Sequence, residues 1–145
     1  MSGYKTILAA VDFSDDSALV REKALLLATQ HAAALHMVHV MEPIIAGYAV
    51  EVMSVDVAGL QAEAQKHARK ALLELGARVG VPPERLHTVV GQPAREIRER
   101  AKAIGADLIV MGGHGKHGFD LLMGSVSSGV THGVSCDLLI VRLPG

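Results

Sequence analysis

The chain has 145 residues, a formal net charge of −1 and one cysteine, and half of its residues are apolar. This length is typical of a single domain with its own core, here spanning residues 1–145. No apolar run reaches the ~18 residues that a membrane-spanning helix needs, and no signal-peptide pattern opens the chain. Scarce aromatic residues and the lack of basic excess argue against a nucleic-acid surface. One cysteine excludes an internal disulfide and favours a cytoplasmic location.

Short apolar runs predict strands that are covered on both faces, and glycine or proline ends the helical patterns between them. The strands are predicted at 6–11, 35–41, 86–90, 107–111 and 137–143, with a long loop at 42–55. Helices are predicted from Ser14 or Asp15 to about Ala33, from Asp56 to Gly80, from Pro93 to Gly105 and from Ser125 to His132.

Capping residues and apolar stripes define the first three helices. Ser14 or Asp15 is the predicted N-cap of the first, with Asp15 and Asp16 against its positive end. The third helix turns Ile97, Ala101 and Ile104 inward. Asp56 is the predicted N-cap of the second helix, whose apolar stripe comprises Leu60, Ala64, Ala68, Ala71, Leu72, Leu75 and Val79.

Five strands alternating with four helices predict an α/β fold, a doubly wound five-stranded parallel sheet. In the strand order 3-2-1-4-5 the winding reverses between strands one and four, and ligands bind outside the carboxyl ends of strands at such a point. The loops at 11–14 and 112–115 would then face each other. Periodicity also allows the order 2-1-3-4-5.

A glycine-rich segment, Met-Gly-Gly-His-Gly-Lys-His-Gly, begins at residue 111. A glycine turn into a helix can present N–H groups to a phosphate, although glycines also serve a plain surface turn. The match to G-x-G-x-x-G from Gly113 to Gly118 follows the fourth strand, with no acid at the end of the next strand, and Lys116 lacks the Ser or Thr of a Walker loop. His114 and His117 have zinc-like spacing, but nothing adjacent completes a ligand set, so no metal site is predicted.

Several of these segments together resemble the universal stress protein family, over essentially the whole chain. They are the opening Ile7–Ser14 with Asp12 at the strand end, the segment Met37–Met41, the glycines at 112 and 115, the Gly124–Ser125 pair before a short helix, and the ending Cys136–Leu143. The long middle helix and this ending are similar to the universal stress protein A branch. The resemblance implies the 3-2-1-4-5 sheet, a homodimer and, as in many members, ATP bound in the crevice between strands one and four.

The resemblance also implies which residues bind the nucleotide (ATP, ADP or AMP, with Mg²⁺ as its accompanying ion). Asp12 and the Val40 backbone would contact adenine or ribose, and Met111 would line the pocket. Ribose and phosphates would be held by Gly112, Gly115, Gly124, Ser125 and Val126, with Ser127, Ala10, Val11, Gly113 and His114 beside them. One departure concerns the loop between Gly115 and Gly124, which has eight residues where the family's ATP-binding pattern has nine. A shorter loop is typical of the A branch, several members of which lack the glycines and do not bind ATP detectably.

Three functions remain open on the sequence alone: a nucleotide-responsive regulator, a slow ATPase or autophosphorylating protein, and a dimeric interaction protein without nucleotide. Ser125, Ser127 and Ser128 are candidate phosphate acceptors, or simply helix caps. Asp12 could also be a helix cap. With Asp15 and Asp16 it suggests a receiver domain, but Val90–Gly91 and Arg142–Leu143 stand where a receiver has its acceptor Asp and its Lys.

Two further expectations concern the strands. His39, within the second strand, is predicted to be a hydrogen-bonded core residue, and His67 and His87 to be exposed or half-buried. The fifth strand, 138–143, is apolar and would be an edge of the sheet, where unpaired backbone groups invite a second copy of the chain. A homodimer through this strand is therefore predicted.

Overall fold

The computed structural model describes residues 3–44, 56–114 and 125–144, and for His114, Ser125, Ser127 and Ser128 it describes the backbone. The strands are β1 (Thr6–Ala10), β2 (Ala34–Met41), β3 (Leu86–Val90), β4 (Leu108–His114) and β5 (Asp137–Leu143). The helices are α1 (Ser17–His31), α2 (Val57–Val79), α3 (Pro93–Ile104) and α4 (Ser125–Thr131), with a 3₁₀ turn at Pro83–Arg85. No helix within these described ranges is long and apolar enough to cross a membrane.

The five strands form one parallel sheet in the order β3-β2-β1-β4-β5. The prediction of a doubly wound 3-2-1-4-5 sheet is confirmed, and the order 2-1-3-4-5 is excluded. β1 lies in the middle, with Leu8 opposite His36 of β2 and Ile109 of β4. The chain reverses its winding between β1 and β4, which places a crevice at their carboxyl ends.

Each face of the sheet carries its own apolar core because successive strand residues point to opposite faces. On one face Ile7, Met37 and Val110 pack with α1 and α2, through residues such as Val20 and Leu72. On the other face the core contains residues of β1, β2 and β4 with α3 and α4: Leu8, Val38, Ile109, Met111, Ala94, Ile97, Ala101 and Val130. The two faces are called here the α1/α2 face and the α3/α4 face.

The end of β4 differs from its prediction. The strand does not stop at Met111 but continues through Gly112 and Gly113 to His114, each paired with a residue of β5. Pairing with β5 outweighs the low strand preference of glycine. Packing explains the first glycine: a Cβ at Gly112 would lie 2.5 Å from Leu143 Cδ1 and 3.2 Å from Val20 Cγ2. The predicted loop 112–115 therefore begins as strand.

The start of α1 also differs from its prediction, because neither Ser14 nor Asp15 caps the helix. The helix begins at Ser17, and the residue before it, Asp16, makes no side-chain cap bond. Instead, the N–H groups of Ser17 and Ala18 donate to the carbonyls of Ser14 and Asp15, at 3.2 and 3.1 Å. A backbone turn thus supplies acceptors that a capping side chain usually provides.

The other helix boundaries confirm their signals, with one exception inside α2. Asp56 caps α2 by accepting from the Gly59 N–H at 3.0 Å, and Gly80 and Gly105 end α2 and α3 with φ of 80° and 68°. Leu60 does not belong to the buried stripe of α2, since 49% of it is exposed. Burial is confined to the second half of the helix, from Ala68 to Gly76, where α2 crosses the sheet.

Candidate functional site

The crevice begins where β1 ends. Val11 continues the strand direction for one residue, since its N–H donates to the Val38 carbonyl at 2.9 Å, and its side chain is buried on the α1/α2 face. Asp12 follows with an exposed side chain. The chain then turns into α1, so that an acidic side chain stands at the carboxyl end of the central strand.

Asp12 organises the turn with one of its two carboxylate oxygens. Its Oδ1 accepts the Ser14 N–H at 2.8 Å and the Ser14 hydroxyl, while the Asp12 N–H donates to Ser17 Oγ at 3.1 Å. These bonds form an Asx turn and not a cap on α1. Within the described ranges no donor reaches Oδ2, which leaves this charged acceptor available to a ligand.

The end of β2 exposes backbone groups beside this turn. The Val38 carbonyl points towards β1, and alternation along the strand directs the N–H and carbonyl of Val40 the same way. The β1 ladder, however, ends with Ala10 opposite Val38. The Val40 backbone therefore faces the crevice beyond the last strand pair of β1.

His39 fixes the same corner from the α1/α2 side. Its Nδ1 lies 3.0 Å from the Val11 carbonyl oxygen, and its ring centre is 4.5 Å from that of Phe13. His39 makes a hydrogen bond, as predicted, but it is half-buried and does not belong to the core. His67 is exposed and His87 half-buried, also as predicted.

Apolar candidates for the site belong to one cluster. Met111 is buried in the core of the α3/α4 face, and Ala10, Val40 and Val126 pack against that core, half-buried. The structure thus brings residues of β1, β2, β4 and α4 together in the apolar core of the α3/α4 face. Val11 is not part of this core, because its side chain lies on the opposite face.

The remaining predicted residues are placed only in part. Gly113 is buried, and His114 is the last residue of β4. Ser125 and Ser127 belong to α4, where the structure describes their backbone. Gly115 and Gly124 lie outside the described residues, as do His117 and most of the 42–55 loop. In the part of the chain that the structure does describe, no three His, Cys, Asp or Glu side chains lie close enough to hold a metal ion.

Sequence reasoning did not find a histidine pair away from the crevice. His36 Nδ1 lies 3.0 Å from His87 Nε2, with nearly parallel rings at an interplanar angle of 9°. Burial lowers the pKa of His87 to about 4, helped by the charges of Arg100 and His36, and burial with the charge of Arg85 lowers the pKa of His36. Only the pairing of β2 with β3 brings these two histidines together, because they are 51 positions apart in the sequence.

Comparison with known proteins supports this architecture. The model of the universal stress protein family matches residues 3–142. The chain is 41% identical over 138 residues to universal stress protein A homolog 1 of Coxiella burnetii, covering 95% of this chain and 96% of that protein. It superposes on the universal stress protein UspA from Lactobacillus plantarum with a TM-score of 0.77 at 25% identity, covering 98% of this chain and all of that one.

A third similarity concerns a liganded relative. A universal stress protein crystallised in complex with cAMP superposes with a TM-score of 0.67 at 24% identity, over 97% of this chain and 98% of that one. At that identity the likeness establishes a shared fold. The family match and the high-identity relative go further: this chain belongs to the universal stress protein family.

Proposed function

We propose that this stress-family protein binds an adenine nucleotide in the crevice between β1 and β4 and works in the cytoplasm as a dimeric regulatory module. The observation that carries the proposal is Asp12, at the point where the winding of the sheet reverses: its Oδ2 accepts no hydrogen bond from the described part of the chain. A relative of the same fold was solved with cAMP, which is itself an adenine nucleotide.

The described residues suggest a division of roles. Asp12 Oδ2 would accept a ribose hydroxyl or the adenine amino group, and the Val40 backbone would meet the base edge. Ala10, Met111 and Val126 would supply the apolar wall for the base. Gly112, Gly113, His114, Gly115, Gly124, Ser125 and Ser127 complete the proposed ribose and phosphate side, where backbone N–H groups suit an anion.

Mg²⁺ would enter with the phosphates of ATP or ADP. Mg²⁺ keeps several waters and takes one or two carboxylates together with phosphate oxygens. Asp12 is assigned here to the ribose or adenine, and the described residues hold no group of three metal-ligating side chains, so the ion would be held mainly by phosphate oxygens and water. In that role Mg²⁺ neutralises phosphate charge.

Calorimetric titration with ATP, ADP, AMP and cAMP tests the nucleotide, using Asp12→Asn and the matched control Asp15→Asn. An asparagine can keep its oxygen on the Ser14 N–H, and its NH₂ group then stands where the ligand needs a charged acceptor. We expect Asp12→Asn to weaken binding by about 1–3 kcal/mol, the scale of a hydrogen bond to a charged group, with unchanged melting temperature. Asp15 is an exposed neighbour and its variant should bind normally.

Two results would contradict this assignment. A wild-type protein that binds none of the four nucleotides would exclude the nucleotide role and leave a dimeric interaction protein. Equal affinity of wild type and Asp12→Asn would remove Asp12 from the site. Incubation with labelled ATP and GTP then separates a binding module, which stays unlabelled, from an autophosphorylating protein.

The proposed homodimer rests on the edge strand β5. Leu138 and Ile140 pack against the α3/α4 core and Leu139, Val141 and Leu143 against the α1/α2 core, yet all five are only half-buried. The Asp137 N–H points to β4, where it meets the Asp107 carbonyl, so the N–H of Ile140 points outward. A second copy pairing antiparallel about a two-fold axis would use these outward groups and cover the apolar edge.

Ile140→Pro isolates this edge because it removes an outward donor and no bond of the β4–β5 ladder. Thr88→Pro is the matched control on the opposite edge: Gly91 donates towards β2, so the Thr88 N–H also points outward. In sedimentation velocity at micromolar concentration, wild type and Thr88→Pro should be dimers, and Ile140→Pro a monomer or a precipitate. A monomeric wild type, or a dimeric Ile140→Pro, would exclude pairing through β5.

A further inference from the structure

Two pairs of residues fit together where α4 meets α3. Ala94 and Arg98 are four positions apart on α3. Gly129, in the last turn of α4, and Gly133, two residues beyond the end of that helix, have the same spacing. A Cβ on Gly129 would lie 2.6 Å from the Ala94 Cβ, and one on Gly133 would lie 2.5 Å from Arg98 Cδ and Nε. The glycines thus leave a groove across the end of α4 and the turn after it, which receives α3 without room for side chains.

Arg98 closes this groove with a hydrogen bond. Its Nη1 donates to the Gly129 carbonyl oxygen at 2.6 Å. Gly129 lies in the last turn of α4, where carbonyls lack partners within the helix and favour a cation. The Arg98 guanidinium therefore satisfies an acceptor that the short helix cannot satisfy itself.

This contact matters because α4 has seven residues, too few to be stable alone. Val130, fully buried, and Val126, half-buried, attach it to the core of the α3/α4 face, but apolar contacts fix rotation and slide less strictly than a directed bond. The direction of α4 in turn sets where its first residues, Ser125 and Val126, stand beside β4.

We propose that Arg98 is a positioning residue for the ligand site: by clamping the end of α4 it holds the start of that helix on the phosphate side of the crevice. The inference rests on the proposed function for its ligand. It adds a residue that contacts the helix and not the nucleotide, at Gly129, about one turn from the start of α4.

Arg98→Met tests the clamp, because methionine keeps an apolar stem and loses every donor. Arg95→Met, one turn earlier on α3 and exposed, is the matched control. Hydrogen exchange of the α4 amides should be about tenfold faster in Arg98→Met than in wild type, with exchange in the sheet unchanged. Affinity for ATP should fall about tenfold, but affinity for adenosine, which has no phosphates, should fall less than threefold.

The ratio of the two affinities separates positioning from general destabilisation, which would weaken ATP and adenosine alike. A size exchange gives a second arm: Gly129→Ala should lower ATP affinity by its clash with Ala94, and adding Ala94→Gly should restore most of it. Arg98→Lys keeps a donor and should recover part of the ATP affinity.

Each outcome decides the inference. Unchanged α4 exchange in Arg98→Met, equal losses for ATP and adenosine, or no rescue by Ala94→Gly would overturn it. A wild-type protein without nucleotide binding would overturn the proposed function and the ligand role of Arg98 together. Faster α4 exchange alone would then still establish the mechanical clamp.

Discussion

The two ends of the sheet use aspartate in opposite ways. At the amino end Asp107, just before β4, accepts the N–H groups of Lys5 and Thr6 at distances from 2.9 to 3.2 Å, which ties β1 to β4. At the carboxyl end Asp12, just after β1, uses one oxygen in its own turn, and no donor from residues 3–44, 56–114 or 125–144 reaches the other. One aspartate therefore joins two strands, and the other holds a local turn and keeps the oxygen that we propose for the ligand.

The same contrast holds for the neighbours of each aspartate. Beside Asp107, the Tyr4 hydroxyl donates to Asp137 at 2.7 Å and the Tyr4 N–H donates to His31 Nδ1 at 3.2 Å. Beside Asp12, the β1 ladder stops while β2 and β4 continue, so the Val40 backbone faces an opening. The polar groups named at the amino end are paired with one another, whereas Asp12 Oδ2 at the carboxyl end meets no donor among the described residues.

The largest expected effect is a loss of ATP affinity at the carboxyl end, with no change in stability. Gly115→Val and Gly124→Val should each reduce ATP affinity at least about 100-fold, because a branched side chain there would fill volume needed by phosphates approaching the backbone. Far-ultraviolet circular dichroism and melting temperature should match those of wild type. Full ATP affinity in both folded variants would exclude the glycine segment from the site.

A smaller effect is expected at the amino end. Asp107→Ala should lower the free energy of unfolding by about 2 kcal/mol, the scale of charge-assisted hydrogen bonds partly open to solvent, and should leave ATP affinity within twofold of wild type. Urea denaturation measures the first and calorimetry the second. Asp12→Asn, which keeps an acceptor for the Ser14 N–H, should show the reverse pattern, with weaker ATP binding and an unchanged free energy of unfolding. Equal behaviour of the two variants would remove the distinction between the ends.

The sequence predicted the buried strands and the helix ends better than the loops and long-range contacts around the carboxyl end of the sheet. Apolar runs and helix stops located β3, β5 and α3 to the residue, because burial and glycine or proline chemistry act locally. The errors at Ser14 and Gly112 have different causes. Ser14 is held by Asp12 Oδ1 in a local Asx turn, which competes with helix capping. Gly112 stays in β4 because it pairs with β5, a contact that depends on tertiary geometry. Contacts such as Arg98 with Gly129 join residues 31 positions apart and leave no local pattern.

Acid should lower the free energy of unfolding in two steps, first by protonating His87 and then by protonating Asp107. His87 has a pKa of about 4 in the fold against an ordinary 6.5, so its contribution to stability is complete above pH 6.5 and is lost as pH falls towards 4. Backbone hydrogen bonds from Lys5 and Thr6 hold the pKa of Asp107 below its usual value despite opposing desolvation, so its contribution is lost only at still lower pH.

Chemical denaturation at pH 7.5, 5.5 and 4.5 measures the first step. Between pH 7.5 and 4.5 the wild type should lose about 1 kcal/mol more of its free energy of unfolding than the double variant His36→Phe/His87→Phe. This value is lower than the full effect of the pKa shift because both rings are half-exposed. The other histidines titrate in both proteins, so the difference isolates the pair. Identical pH profiles would mean that the pair does not resist protonation.

The smallest effect concerns Tyr4. Its hydrogen bond to Asp137, partial desolvation, and the charges of Asp137 and Asp107 raise the pKa of the Tyr4 phenol above the usual 10. Ultraviolet titration should therefore show one phenol ionising above the normal range. The chain has two tyrosines, so the difference between wild type and Tyr4→Phe gives the Tyr4 curve alone.

Asp137→Asn should bring that curve back towards pH 10, because it removes the nearest negative charge from beside the phenolate. Neither change should alter ATP affinity, since this cluster lies at the far end of the strands from the crevice. A Tyr4 curve already centred at pH 10 in wild type would show that the bond to Asp137 is not maintained in solution, and that the amino end is less tightly tied than its contacts indicate.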